Sequence, residues 1–195
     1  MTIKEAQNKG TIMLKSNQIE SPKLKARLLL QHILDKPRQY LIVYDKEEIT
    51  PKQQWEYFVN IDKLIQGIPL QHITHTQEFM KMDFYVDENV LIPRQDTEVL
   101  VEEVIKIAKN IKEPQILDLC TGSGAIGISI AKYVPNAKIY AIDISEKALE
   151  IARKNARKQK VEKQIKFRKS NLFEKIKRIK FDIIVSNPPY IKKGD

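Results

Sequence analysis

Residues 116–131 read ILDLCTGSGAIGISIA, and no other stretch constrains the fold as much. An apolar run of strand length stops at a glycine-rich turn and resumes as an apolar run of helical length. Gly122, Gly124 and Gly127 allow the backbone to bend sharply and to come close to whatever lies over the turn. Strand and helix patterns then keep alternating. Strands are expected at 115–120, 138–143, 164–168 and 181–186, with helices near 124–133 and 145–159. That order implies an α/β fold, a parallel sheet wrapped by helices on both faces.

Residues 1–66 carry helical patterns instead. Ser21-Pro22 supplies a capping residue and a proline at the first helical position, followed by Leu24, Leu28, Leu29 and Ile33 at helical spacing. Thr50-Pro51 repeats the signal, and the helix through Trp55, Phe58, Val59 and Leu64 ends at Gly67. Trp55 is expected in the core. Residues 67–92 mix alternating, β-branched and aromatic residues and read as a hairpin or connector. A helix follows Asp96-Thr97-Glu98, carrying Val99, Leu100, Val104, Ile107 and Ala108. His72 and His75 invite a metal reading, yet neither cysteine nor a tight acidic cluster accompanies them. Zinc needs three or four protein ligands, so no metal is expected.

Composition bounds the setting. The single cysteine, Cys120, excludes an internal disulfide and suits a reducing compartment. No apolar run is long enough for a bilayer, and the opening MTIKEAQNKG lacks a secretory signal, so a soluble, cytoplasmic protein is expected. The net charge of +9 is concentrated between residues 147 and 180, where 14 Lys and Arg face three acids. A basic stretch can attract nucleic acid or an acidic protein. Its only aromatics are Phe167 and Phe173, no platform for stacked bases, so a solvated outer face is the favoured reading.

The glycine loop supports two ligands. Gly122, Gly124 and Gly127 satisfy G-x-G-x-x-G, and Asp143 follows Gly122 by 21 residues, as in dinucleotide-binding dehydrogenases. Asp118, however, closes the first strand. A carboxylate facing the ligand there would repel a pyrophosphate and suit a cationic amino group, such as that of S-adenosylmethionine. Asp143 can accept both ribose hydroxyls under either reading.

The closing stretch VSNPPYIKKGD decides between them. Pro188 and Pro189 end the fourth strand and restrict Asn187 to extended geometry. The corner lies at the carboxyl end of a strand beside the first, where open α/β sheets bind ligands. Asn187 Oδ1 and the Pro188 carbonyl are two acceptors for a planar amino group. Such a nitrogen is a poor nucleophile because its lone pair is delocalised, and positioning can supply much of the barrier to methylating it. Tyr190 would wall the substrate side chain.

Taken in order, GIPLQHITHTQEFMKMDFYVDENVLIPRQDTE, LDLCTGSGAIGISIA, AIDISEKALEIARKNA, SNLF and SNPPY resemble the bacterial release-factor glutamine methyltransferases over essentially the whole chain. The resemblance implies an N-terminal helical bundle, a short β-hairpin connector and a class I, Rossmann-like methyltransferase sheet dependent on S-adenosylmethionine. The domains would be 1–66 for substrate recognition, 67–92 as connector and 93–195 for catalysis, with the last strands of the sheet missing from a piece of a longer enzyme. The reaction implied is methylation of the glutamine side-chain nitrogen in the Gly-Gly-Gln motif of peptide chain release factors. Asn187, Pro188, Pro189 and Tyr190 would form the catalytic corner. Asp118, Cys120, Thr121, Gly122, Ser123 and Gly124 would surround the methionine part of the cofactor, and Asp143 would hold the ribose. Asn171 and Leu172 stand where the family more often has an aspartate and, in some members, a tryptophan beside the adenine. Cys120 replaces a frequent glycine and is read as a small buried residue. The alternatives are an adenine-N6 nucleic-acid methyltransferase, which shares the NPPY stretch, an inactive truncated remnant, and a dehydrogenase.

Overall fold

The computed structural model describes residues 1–176 and 179–188. The chain parts into two compact units, the first running from Met1 to Thr74 and the second beginning at His75.

The first unit is helical: α1 (Ile3–Ser16), α2 (Pro22–Leu34), α3 (Arg38–Val43), α4 (Pro51–Ile65) and α5 (Leu70–Thr74). Thr2 with Glu5, and Thr50 with Gln53, form reciprocal capping boxes that satisfy the free N–H groups of α1 and α4. Helix α2 starts at Pro22 as expected, but Ser21 does not cap it, because its left-handed backbone (φ 51°) leaves the side chain without a capping bond. The core gathers Leu14, Leu29, Leu30, Tyr57 and Ile61, all fully buried. Gly10 permits this packing, since a Cβ there would lie 2.2 Å from the Tyr57 hydroxyl. That hydroxyl donates to the Ala26 carbonyl, and burial pushes its pKa far up. Trp55 is not in the core but 67% exposed. Tyr57, Ile61 and Leu64 define the inward face of α4, and Trp55 lies off it. Helix α5 falls within the segment read as a connector, and its Ile73 joins the helical core.

The second unit opens with a hairpin, β1 (Gln77–Phe79) and β2 (Met82–Phe84), paired antiparallel. Its turn places Met80 and Lys81 at positive φ (50° and 59°). The strain is held by two bonds, Met80 N to Glu98 Oε1 at 2.8 Å and Tyr133 Oη to the Met80 carbonyl at 2.9 Å. After α6 (Asp96–Ala108) come β3 (Gln115–Leu119), α7 (Ala125–Tyr133), β4 (Lys138–Asp143), α8 (Glu146–Gln159), β5 (Ile165–Lys169) and β6 (Ile183–Ser186). All four strands are parallel in the order β5-β4-β3-β6. Helix, strand and parallel sheet thus follow the expected α/β order.

One expectation changes. Helices α6 and α7 share a core with Ile116, Ile139 and Val185, while Leu117, Leu119 and Ile142 on the opposite face pack with Ile176 and Phe181. Among the described residues that second face carries loop rather than helix, so the sheet is helix-covered on one face. On α8, Ala148, Leu149, Ala152 and Ala156 point inward while Lys147, Lys154, Arg157 and Lys158 are exposed. Because β6 returns to the far side of β3 after β4 and β5 have been laid down, the chain reverses between β3 and β6. A crevice at the carboxyl ends of the strands is expected there.

Candidate active site

That crevice is present. A cavity of about 390 Å³ lies over the carboxyl ends of the strands, bordered by Leu119, Gly122, Ile142, Asp143, Asn171 and Asn187. Its size lies within the usual range for a small-molecule site.

The loop after β3 is built from buried hydrogen bonds. Asp118 Oδ2 accepts from Thr121 Oγ1 at 2.5 Å and from Gly127 N at 2.9 Å. Gly127 must be glycine here, because a Cβ would sit 2.9 Å from that carboxylate oxygen. Gly124 has φ +83° and abuts Ala152 on α8. Gly122 has φ +55° with open space where a side chain would go, so the backbone presents itself to the cavity. Asn155, fully buried on α8, ties this loop down. Its Nδ2 donates to the Ser123 carbonyl at 2.9 Å and to the Tyr85 carbonyl at 3.0 Å, while Oδ1 accepts from Tyr85 N at 2.7 Å.

Asp118 is corrected by this geometry. It was expected to face the ligand, but it is fully buried beneath the loop and does not border the cavity. Burial pushes its carboxyl up to about 6, opposed by the bonds from Thr121 and Gly127 and reinforced by nearby Asp143. Among the described residues its Oδ1 has no hydrogen-bond partner. Its observed contacts shape the loop.

Asp143, at the end of β4, does border the cavity. Its Oδ2 accepts from Gly122 N and its Oδ1 from Ser145 N, each at 2.9 Å. A carboxylate oxygen has two lone-pair directions, so both retain capacity for a diol. Cys120 is half-buried rather than buried, and lines the cavity with φ +61°. This left-handed backbone favours glycine, which gives a local reason for that residue at the position. Burial, then the charge of Asp143, pushes the thiol up, so it is not an activated nucleophile. Asn171 donates through Nδ2 to Glu174 Oε1 at 2.9 Å, and Leu172, half exposed, forms part of the wall.

At the end of β6, Asn187 is half-buried and borders both this cavity and a smaller one of about 50 Å³. Thr121 and Ser123 border the smaller cavity alone. Asn187 Nδ2 lies 3.2 Å from Thr97 Oγ1. Pro188 follows, exposed, while Pro189 and Tyr190 lie outside the described residues. The sequence reading had given no site role to Thr97, to residues 89–91 or to Ser145, all of which reach the cavities. Residues 85–90 arrive there because Val86 and Val90 pack on Ala148 and Ile151 of α8. The serine two residues after Asp143 was a readable signal, since Ser145 Oγ caps α8 by accepting from Ala148 N.

The wall chemistry fits a nucleoside. Leu119, Ile142, Ile144 and Leu172 supply apolar surface for a base, Asp143 a carboxylate for hydroxyls, and Gly122 bare backbone.

Family comparisons agree. Residues 94–195 match the family model "Methyltransferase small domain", and residues 5–74 match "PrmC N-terminal domain". A release factor glutamine methyltransferase of Moorella thermoacetica is 39% identical over 191 residues, covering 98% of this chain and 68% of that protein. One from Koribacter versatilis is 42% identical over 192 residues with the same coverages. The solved structure of a SAM-dependent methyltransferase from Agrobacterium tumefaciens is 19% identical, with a TM-score of 0.51 over 58% of this chain and 39% of that one, and shares the fold. The chain thus spans about two thirds of these curated relatives. It belongs to the release factor glutamine methyltransferase family, whose cofactor is S-adenosylmethionine.

Proposed function

We propose that the protein methylates the side-chain nitrogen of the glutamine in the Gly-Gly-Gln motif of peptide chain release factors. The observation that carries the reading is the placement of Asn187 at the strand end facing the glycine loop, bordering both cavities. Bound S-adenosylmethionine supplies an electrophilic methyl group. Asn187 Oδ1 and the Pro188 carbonyl accept the two hydrogens of the substrate carboxamide and turn its lone pair toward the methyl. Held so, the reactants need little further ordering to react. The nitrogen becomes acidic once methylated, and its proton leaves to water or to these acceptors. Asp143 holds the ribose, and Cys120, Thr121, Gly122, Ser123 and Gly124 shape the pocket for the methionine part. Asn171 Oδ1 accepts from the adenine amine, with Leu172 against the ring. Pro189 and Tyr190, outside the described residues, belong to the catalytic stretch under this reading, and Asp118 acts by ordering the loop.

Under this reading residues 1–66 recognise the release factor, 67–92 connect, and 93–195 carry out the chemistry in the cytoplasm. The test is incubation of the chain with methyl-labelled S-adenosylmethionine and a release factor, with fragment mass spectrometry to place the label. Label on the Gly-Gly-Gln glutamine supports the reading. Label appearing instead on adenine of added DNA, or on no substrate, overturns it.

A further inference from the structure

We infer that Thr97 is a positioning residue for this methyl transfer, holding the Asn187 amide with its oxygen free for the substrate; the inference rests on the role proposed for Asn187. Thr97 lies in the first turn of α6, where its N–H donates to the Arg94 carbonyl at 3.0 Å. Asn187 comes 90 positions later, and its Nδ2 meets Thr97 Oγ1 at 3.2 Å. Both residues border the cavity of about 50 Å³ beside the glycine loop.

A carboxamide is nearly symmetric in shape, yet one end accepts and the other donates. Asparagine turned the wrong way would point N–H groups at the N–H groups of the substrate glutamine. Some neighbour must therefore distinguish the two ends. Thr121 donates to Asp118 Oδ2 and Ser186 donates to the Leu119 carbonyl, and among the described residues neither meets the Asn187 amide. Thr97 is the hydroxyl turned to Asn187, and in accepting from Nδ2 it leaves Oδ1 as the exposed end.

The test compares Thr97→Val, Thr97→Ser and Asn187→Ala in the full chain. Thr97→Val keeps the shape and removes the acceptor. It should lower kcat by about tenfold to a hundredfold, as expected for loss of preorganisation at one polar contact. Affinity for S-adenosylhomocysteine and the unfolding temperature should stay unchanged. Thr97→Ser should restore kcat to within about twofold, because the hydroxyl is retained. Thr97→Val should cost nothing further in an Asn187→Ala background. A second readout needs no turnover. The Asn187 side-chain NH2 pair, identified in 15N spectra by its loss in Asn187→Ala, should shift and exchange faster with water in Thr97→Val but not in Thr97→Ser.

An unmoved NH2 pair in Thr97→Val, or a loss of kcat that adds fully to that of Asn187→Ala, overturns the inference. Unimpaired turnover by Asn187→Ala is a different failure. It would remove the role given to Asn187, while the NH2 resonances would still report how Thr97 holds the amide.

Discussion

Strands β3 and β6 lie side by side and end at the same crevice, but their ends are built in opposite ways. The loop after β3 is over-determined. A buried carboxylate, a buried asparagine and two tightly packed glycines hold it from below. At the corner after β6 the bonds among the described residues are of another kind: Ser186 donates to the Leu119 carbonyl, and Asn187 reaches across to Thr97 through one end of its amide. The contrast separates two demands on an enzyme of this kind. A cofactor cradle gains from backbone that cannot move, since each ordered group lowers the cost of binding. A catalytic amide must keep one end free, so it cannot be saturated with partners. Mutations in the cradle should therefore show up as stability, and mutations in the corner as rate.

The largest expected effect tests the corner. Asn187→Ala should lower the rate of methyl transfer by about 10²–10³ while changing the unfolding free energy by under ~0.5 kcal/mol, by analogy with loss of one preorganised polar contact. Steady-state rates and chemical denaturation of the same sample check both halves. An equal rate sinks the role of Asn187, and a large stability loss erases the contrast.

The cradle is tested next by Asn155→Ala. It takes the Asn155 partner from the Tyr85 N–H and from two carbonyls, one of them buried, and should cost about 3 kcal/mol of stability. Cofactor affinity should fall with it, because Tyr85 and Ser123 lead into the walls of the two cavities. Denaturant unfolding with and without S-adenosylhomocysteine would show this. A loss under ~1 kcal/mol would mean that the loop is held elsewhere.

Asp118→Asn asks whether the buried charge helps or hurts. The folded carboxyl titrates at about 6, above its ordinary 3.8, so the folded state holds its proton more tightly than the unfolded chain does. Wild-type stability from this group is therefore full at low pH and is lost as pH rises from about 4 to about 6. Asparagine can still accept from Thr121 and Gly127 without the charge. The difference in unfolding free energy, variant minus wild type, should rise by about 2–3 kcal/mol across that window and stay flat above it. A difference that falls instead would show the ionised carboxylate to be compensated by a group that its unpartnered Oδ1 does not reveal.

The smallest effect is expected for Cys120→Gly. Relief of the left-handed backbone is offset by the greater freedom of glycine in the unfolded chain, leaving a change under about 1 kcal/mol. Thermal melts would register it, and a loss of several degrees would mean that the Cys120 side chain contributes more packing than its half-exposed position suggests.

What could be read along the chain was local. The order of strands and helices in the second unit followed from alternating apolar runs, and the cap at Thr50 from its dipeptide with Pro51. Gly122 and Asp143 were legible because a glycine turn and a strand-end acid declare themselves within a few residues. Trp55 misled because helical spacing shows that apolar residues share a face but not which way that face turns; Gly10 against Tyr57 decided it. Likewise a strand-end Asp118 can face the crevice or the loop beneath it, and Thr121 and Gly127 drew it under.

By itself, then, the sequence determined the fold class and the glycine loop, and it is the source of the chemistry proposed for Asn187. The tertiary structure alone decided the long-range pairings: Tyr85 with Asn155 across 70 residues and Thr97 with Asn187 across 90. The physical reason is that an amide or hydroxyl will bond to whatever partner folding brings near. Its identity in the sequence records the capacity for a bond, and only the packed core specifies with whom it is made.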